Sequence, residues 1–265
     1  MILTDYHLHT QYSWDSKLQA KDLIDKAISL NYTAIALTEH LDLLPWELAV
    51  NGLLSLKKYS AFVDMAQAQY PQLQIIKGIE IGDYHQVRDF ALALVQEIEL
   101  ELTLGAVHFL SDKINVAVPL ARPLSKEQVE DYYLQNLSLV SECEIDVLAH
   151  LGVYKRYYEQ QPNEEYALPI VKDIFNVMID KQIALEINYS PYRKDYGNCL
   201  PEPCFLELYK DMGGKLFTIG GDCHHLDHFN DYRHMLPKWA LQMKRVQDTD
   251  EAHDKSKPLP CLLTL

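Results

Sequence analysis

Seven short β-rich runs punctuate this chain, and helical periodicity fills most of the intervals between them. The runs are 2–8, "TAIALTEH" (33–40), "LQIIKGIEIG" (73–82), "LTLGAVHFL" (102–110), "IDVLAH" (145–150), "IALEINYS" (183–190) and "KLFTIGGDCHH" (215–225). In 17–30, apolar Leu18, Leu23, Ile24, Ala27, Ile28 and Leu30 recur at helical spacing. Segments 53–69, 86–99, 124–142, 164–181 and 203–212 read likewise, and Ser125 with Gln128 forms a capping-box pattern. Such alternation requires a parallel sheet with helices outside it. Parallel strands buried on both faces should be continuously apolar, as "AIAL", "QIIKGI" and "DVLA" nearly are. No glycine-rich phosphate loop follows the first run, which disfavours an open doubly wound sheet. The expectation is a closed β/α barrel. Nothing in the 265 residues reads as a repeat or linker, so one domain over 1–265 is expected. Its tail, 246–265, reads either as loosely ordered or as a loop ending in a short docked strand.

Polar residues recur at one place in this pattern, the carboxyl end of the runs. His7 and His9 end the first, His40 the second, Glu80 the third, His108 the fourth and His150 the fifth, while Asp222 and His224 end the seventh. In β/α barrels that rim gathers catalytic groups from strands distant in sequence. Side chains at i and i+2 of a strand leave the same face about 6–7 Å apart. His7 and His9 can therefore converge on one ion, as can Asp222 and His224, and Asp15 follows close behind. A carboxylate such as Glu80 has two oxygens and can bridge two cations. Nine candidate ligands are too many for one tetrahedral zinc and suit two or three divalent ions. Their mixture of imidazole and carboxylate favours zinc, manganese or iron. Such a cluster clamps phosphoryl oxygens and acidifies a bound water, so hydrolysis is the natural chemistry.

The motifs "HLH" (7–9), "TEH" (38–40), "GIE" (78–80), "VH" (107–108), "AH" (149–150) and "GDCH" (221–224) resemble the signature of the polymerase and histidinol phosphatase (PHP) family. The resemblance runs from residue 5 to about 225 and is closest to the family's stand-alone histidinol-phosphate phosphatases. It implies a distorted seven-stranded barrel, (β/α)7 and TIM-like, with the metal site at the carboxyl-terminal rim. It also implies hydrolysis of L-histidinol phosphate in histidine biosynthesis, through a hydroxide bridging two metals. His7, His9, Glu80 and Asp222 would hold the first metal. Glu80, His108 and His150 would hold the second, and Asp15, His40 and His224 the third. Arg156 and Arg193, each just past a strand, are the candidates to bind phosphate and assist catalysis, with Ser190 as a hydrogen-bond donor and Lys155 as a weaker choice. Asp42, Trp46 and Asp83 are candidates to hold the ammonium and imidazole of histidinol. Asp222 is one candidate source of the leaving group's proton.

Charge and composition narrow the partners. A formal charge of −14 with no dense Lys/Arg run weighs against duplex nucleic acid. No apolar run reaches the ~18–20 residues needed to span a bilayer, and the amino terminus lacks a signal-peptide pattern, so a cytoplasmic enzyme without a membrane partner is expected. Five cysteines, an odd number with no CxxC pair, weigh against a cysteine-based zinc site or a disulfide framework. Oligomeric state is not legible. A related phosphoesterase acting on a nucleotide or nucleic-acid end would carry the same metal motifs. An amidohydrolase would commonly place a bridging lysine on the fourth strand, where "LGAVHF" has none. A metal-binding scaffold that has lost catalysis would be expected to have lost ligands as well.

Overall fold

Seven parallel strands succeed one another around the barrel: β1 (Thr4–Asp5), β2 (Ala34–Asp42), β3 (Gln74–Gly82), β4 (Leu102–Ala106), β5 (Val147–Leu148), β6 (Ala184–Asn188) and β7 (Phe217–Gly220). Each pairs with its predecessor, the longest ladder running from Ala34–Gln74 to Asp42–Gly82. This computed structural model describes residues 3–160, 162–194, 196–245 and 263–264. Closure is made by backbone bonds between the ends of β1 and β7. Tyr6 N–H donates to Ile219 O (2.8 Å), Asp222 N–H to His7 O (2.8 Å) and His9 N–H to Cys223 O (3.0 Å). Two further short strands, β8 (Lys244–Arg245) and β9 (Leu263–Thr264), extend the sheet, β9 lying antiparallel to β7 at Phe217. The tail thus ends in a docked strand, while what was expected of 246–262 lies outside the described residues.

Helices α1 (Ala20–Ser29), α2 (Pro45–Asn51), α3 (Leu56–Gln69), α4 (Arg88–Val95), α5 (Lys126–Glu142), α6 (Leu168–Lys181) and α7 (Pro203–Asp211) complete the alternation. Six fall within the segments marked by periodicity. The seventh, α2, has only seven residues, too few to show a helical repeat in sequence. The capping box of α5 forms as expected: Gln128 N–H donates to Ser125 Oγ, and Ser125 N–H to Gln128 Oε1. Ala20, Leu23, Ile24 and Ala27 of α1 are buried in a small apolar cluster with Tyr59 and Val63 of α3. A larger cluster packs α5, α6 and α7 against the remaining strands. No helix among the described residues is long and apolar enough to cross a membrane.

β5 and β7 end sooner than their runs did, for a backbone reason: His150 (φ 24°) and Asp222 (φ 48°), each two residues past its strand, sit at positive φ, which breaks the pleat there. Non-glycine residues rarely adopt this conformation, and local strain of this kind gathers at functional sites.

Candidate metal centre

Glu80 on β3 is the hub of the rim. Its Oε2 lies 3.3 Å from His7 Nε2, 3.4 Å from His9 Nε2 and 3.1 Å from His40 Nδ1. Its Oε1 lies 2.9 Å from His150 Nε2 and 3.5 Å from His108 Nε2. Asp222 Oδ1 is 3.5 Å from His9 Nε2 and 3.8 Å from His7 Nε2. Asp15 Oδ2 approaches His224 Nε2 (3.1 Å) and His40 Nε2 (3.5 Å). All nine candidate ligands are therefore brought together, though β1 itself stops at Asp5 and the two histidines sit on its extended continuation. Three overlapping groups gather ligand atoms within 4.8 Å of one another: His9, His40 and His224; His7, Glu80 and His150; His7, His9 and Asp222.

His7 Nε2, His9 Nε2, His40 Nδ1 and Glu80 Oε2 are buried and have no hydrogen-bond partner. Buried polar atoms are normally satisfied, and an orphaned set of neutral nitrogens and carboxylate oxygens converging on one spot is what a divalent cation completes. The residues fit such a group.

Tautomers are fixed from behind. Glu186 Oε1 accepts from His7 Nδ1–H at 2.7 Å, and its Oε2 accepts from the His150 backbone N–H at 2.6 Å. Because a carboxylate can only accept, the His7 proton is held on Nδ1 and Nε2 is left bare towards the rim. A parallel relay serves His9. Ser13 Oγ donates to Glu39 Oε2 (2.6 Å), which leaves it to accept from His9 Nδ1–H (3.2 Å). Glu39 also accepts from the Thr10 N–H and hydroxyl. Asp5 accepts from Tyr189 OH and from the backbone N–H of Gly221 and His7, tying β1, β6 and β7 together beneath the site. Burial pushes the Asp5 carboxyl up to about 6. The sequence reading missed Glu186, Glu39 and Asp5. The available signal was a carboxylate inside an otherwise apolar strand run.

Charges respond to this packing. Burial disfavours a protonated His7, but Glu186 and Glu80 outweigh it and raise its pKa well above the usual histidine range, so the neutral tautomer with Nε2 bare is the form that a bound cation selects, by releasing the Nε2 proton. At His9, burial and the neighbouring His40 and His224 act together and lower it well below. Burial also opposes ionisation of Asp222, yet the guanidinium of Arg156, 2.5 Å away, leads a set of cations that holds it well below the carboxylate range. An aspartate so held suits a ligand and not a proton donor.

The remaining candidates separate. Arg156 lines the cavity above the cluster and Arg193 does not. Arg193 Nη2 instead donates to the carbonyls of Gly221 (2.7 Å) and Asp222 (3.1 Å), bracing the end of β7. Ser190 is also outside the cavity lining; its N–H donates to Asn188 Oδ1. Asp42 reaches the cavity; its Oδ2 accepts from Trp14 Nε1 at 2.9 Å and lies 3.8 Å from His40 Nδ1, while its Oδ1, buried without a hydrogen-bond partner, lies 3.8 Å from His108 Nδ1. Asp83 accepts the backbone N–H groups of His108 and Phe109, and burial pushes it up to about 7. Trp46 packs edge-on against Phe109. Lys155 is fully buried between Glu164 and Glu202, away from the cluster. A larger cavity, about 560 Å³, opens beside α7, but no histidine lines it and it holds none of this chemistry.

The PHP domain family matches residues 5–190. A probable histidinol-phosphatase of Clostridium acetobutylicum is 27% identical over 236 residues, 85% of this chain and 88% of that protein. The histidinol-phosphatase of Lactococcus lactis is 24% identical and is covered to 83% on both sides. A crystal structure of histidinol phosphate phosphatase from Lactococcus lactis, complexed with zinc, L-histidinol and phosphate, superposes with a TM-score of 0.74 at 24% identity, covering 84% of this chain and 86% of that one. A putative histidinol phosphatase from Listeria monocytogenes superposes with a TM-score of 0.75 at 15% identity, covering 88% and 100%. The distorted barrel is common to these proteins.

Proposed function

The chain belongs to the PHP-domain family, and from that premise we propose that it is a metal-dependent phosphomonoesterase that hydrolyses L-histidinol phosphate to L-histidinol and phosphate, a step of histidine biosynthesis. The observation that carries the reading is the convergence of imidazole nitrogens on Glu80 from the ends of β1, β2, β4 and β5, with Asp222 after β7 facing His9 in the same cluster. Its relatives named as histidinol-phosphatases support the substrate. His7, His9, Glu80 and Asp222 would hold one divalent cation, with Glu80, His108 and His150, and Asp15, His40 and His224, as the sets for a second and a third. When bound, such ions neutralise phosphoryl oxygens and supply an acidified water. Zinc, manganese or iron suits these ligands.

The chain's own groups do the rest. Arg156 turns a planar fork towards the cavity and receives the phosphate dianion, a geometry suited to paired oxygens. Its ion pair with Asp222 keeps that fork at the rim before substrate arrives. Glu186 and Glu39 hold the Nδ1 protons of His7 and His9, directly and through Ser13, and so aim the two Nε2 atoms at the rim. The cavity, about 120 Å³, is on the scale of a small phosphate ester. The buried free thiols Cys143, Cys199 and Cys223 fit a reducing cytoplasm, and the chain acts as a single domain.

The test is phosphate release from L-histidinol phosphate by protein purified with its metals, by chelator-treated protein, and by that protein resupplied with zinc, manganese or iron. Turnover with kcat/KM of roughly 10⁴ M⁻¹s⁻¹ or more, abolished by chelation and restored by metal, is expected. Cleavage of p-nitrophenyl phosphate without cleavage of histidinol phosphate would keep the metal chemistry and refute the substrate. Loss of neither ester's turnover on chelation would refute the metal.

A further inference from the structure

Five carboxylates line the cavity: Asp15, Asp42, Glu47, Glu80 and Asp222. Four have at least one oxygen in a hydrogen bond or ion pair, Asp15 and Glu80 with histidines, Asp42 with Trp14, and Asp222 with Arg156. Among the described residues no hydrogen bond or ion pair is made to the Glu47 carboxylate. It is 8% exposed, and its Oε2 is buried without a partner. Glu47 stands in the first turn of α2, the short helix after β2. Arg156 follows β5, so β3 and β4 separate the two around the barrel. The cavity lining also includes Trp14 and the segment after β4 that supplies Asn115, Ala117 and Val118, and the groups that bear on the Glu47 charge are Asp42 and Asp83, which oppose its ionisation, and His108 and His40, which favour it.

A buried carboxylate with nothing to neutralise it is costly in a folded protein, and a cationic ligand removes that cost. Burial, with Asp42 nearby, pushes this carboxyl up to about 8, so it is poorly ionised until a positive charge arrives. We propose that Glu47 is the substrate-selecting residue of the cavity, its carboxylate receiving the ammonium group of the leaving alcohol while the phosphoryl group lies towards Arg156. The proposal rests on the reading of the chain as a histidinol-phosphate phosphatase, whose substrate carries its ammonium on the carbon next to the ester-bearing one. It gives the ammonium to Glu47 instead of Asp42, whose Oδ2 already accepts from Trp14 and whose Oδ1 faces the His108 imidazole.

The experiment compares the metal-loaded parent with Glu47→Gln and Glu47→Asp on three esters. These are L-histidinol phosphate, its des-amino analogue 3-(imidazol-4-yl)propyl phosphate, and p-nitrophenyl phosphate. The quantity read is the ratio of kcat/KM for the first ester to that for the second. The parent should favour the ammonium-bearing ester. Glu47→Gln should lower the ratio on the order of 10- to 100-fold, the scale of a lost hydrogen bond to a charged group. Glu47→Asp, which keeps the charge on a shorter arm, should lower it less. An unchanged ratio in Glu47→Gln would overturn the assignment. So would equal losses on both alkyl esters with p-nitrophenyl phosphate spared, since that pattern belongs to a proton donor. Absence of any parental preference for the ammonium also overturns it. Failure of the parent on both alkyl esters, by contrast, would strike the substrate reading itself and shows before any variant is assayed.

Discussion

Replacing Glu186 by glutamine tests whether the groups behind the ligands matter as much as the ligands. The side chain keeps its size, but one of two acceptor oxygens becomes a donor. In the parent, Oε1 accepts from His7 Nδ1–H at 2.7 Å and Oε2 from His150 N–H at 2.6 Å. If the amide carbonyl stays with His150, the amide NH2 faces His7 Nδ1 and must donate to it. The imidazole proton then moves to Nε2, the atom 3.3 Å from Glu80 Oε2, and a protonated nitrogen cannot ligate a cation. If the amide turns round, the NH2 meets the His150 N–H and leaves a buried backbone donor unsatisfied. Either arrangement costs about 1–3 kcal/mol. Removing the partner of a ligating histidine typically weakens metal binding by about 10–100-fold. That is the expected loss in a titration of Glu186→Gln against a competing chromophoric chelator, with zinc and with manganese. Affinity within twofold of the parent, in a variant that melts at the parental temperature, would refute the tautomer argument.

Three further expectations follow from the same contacts. Gly220→Ala should weaken metal binding in the same assay, because a Cβ there would lie 1.9 Å from Glu186 Oε1 and 2.6 Å from His7 Cβ; parental affinity would mean that the carboxylate does not hold His7. Lys155→Met strips the cation from between buried Glu164 and Glu202, and breaking a buried pair in this way costs about 3–5 kcal/mol, so a urea-unfolding loss below 1 kcal/mol at neutral pH would count against it. In chelator-treated protein, Asp83→Asn should gain on the parent as pH rises. Burial lifts the folded-state pKa of Asp83 to about 7 from 3.8, so the parent's contribution is full below pH 4 and lost through pH 7; the difference between pH 5 and pH 8 should be about 2–3 kcal/mol, and a flat difference would contradict it.

The ligand set was legible because each member obeys a local rule, a polar residue where an apolar run reaches the barrel rim. Glu186 and Glu39 escaped because their meaning depends on a partner. Glu186 lies 179 residues from His7, and only the closed barrel shows that it points at Nδ1. Arg156 and Arg193 look equivalent in sequence, each an arginine just beyond a strand. Their difference arises in the backbone, since the turn at Val153–Tyr157 brings Arg156 to the cavity while that at Ser190–Arg193 sends Arg193 to the carbonyls of Gly221 and Asp222. Glu47 was hidden for a third reason. The helix that carries it is too short to leave a periodic trace.

The spacing of "HLH" and "GDCH" has a cause beyond ligation. β1 is two residues long, too short to close a barrel by its own ladder. The seam is carried onward by the ligand segment: His7 O and His9 N–H bond to the chain after β7, and Leu8 pairs with Cys223 across it. On the other side, Leu8 O accepts from Thr38 N–H of β2. Leu8 and Cys223 are both wholly buried and belong to the same small apolar cluster, while the residues on either side of each, His7 and His9, Asp222 and His224, face the rim. The two-residue period of an extended chain does both jobs at once. The middle residue of each motif closes the barrel, its neighbours supply ligands, and the candidate metal centre therefore lies directly across the seam. A shift of one residue in that register would turn Leu8 to the cations and the histidines to the core, so the fold cannot close correctly without also assembling the site.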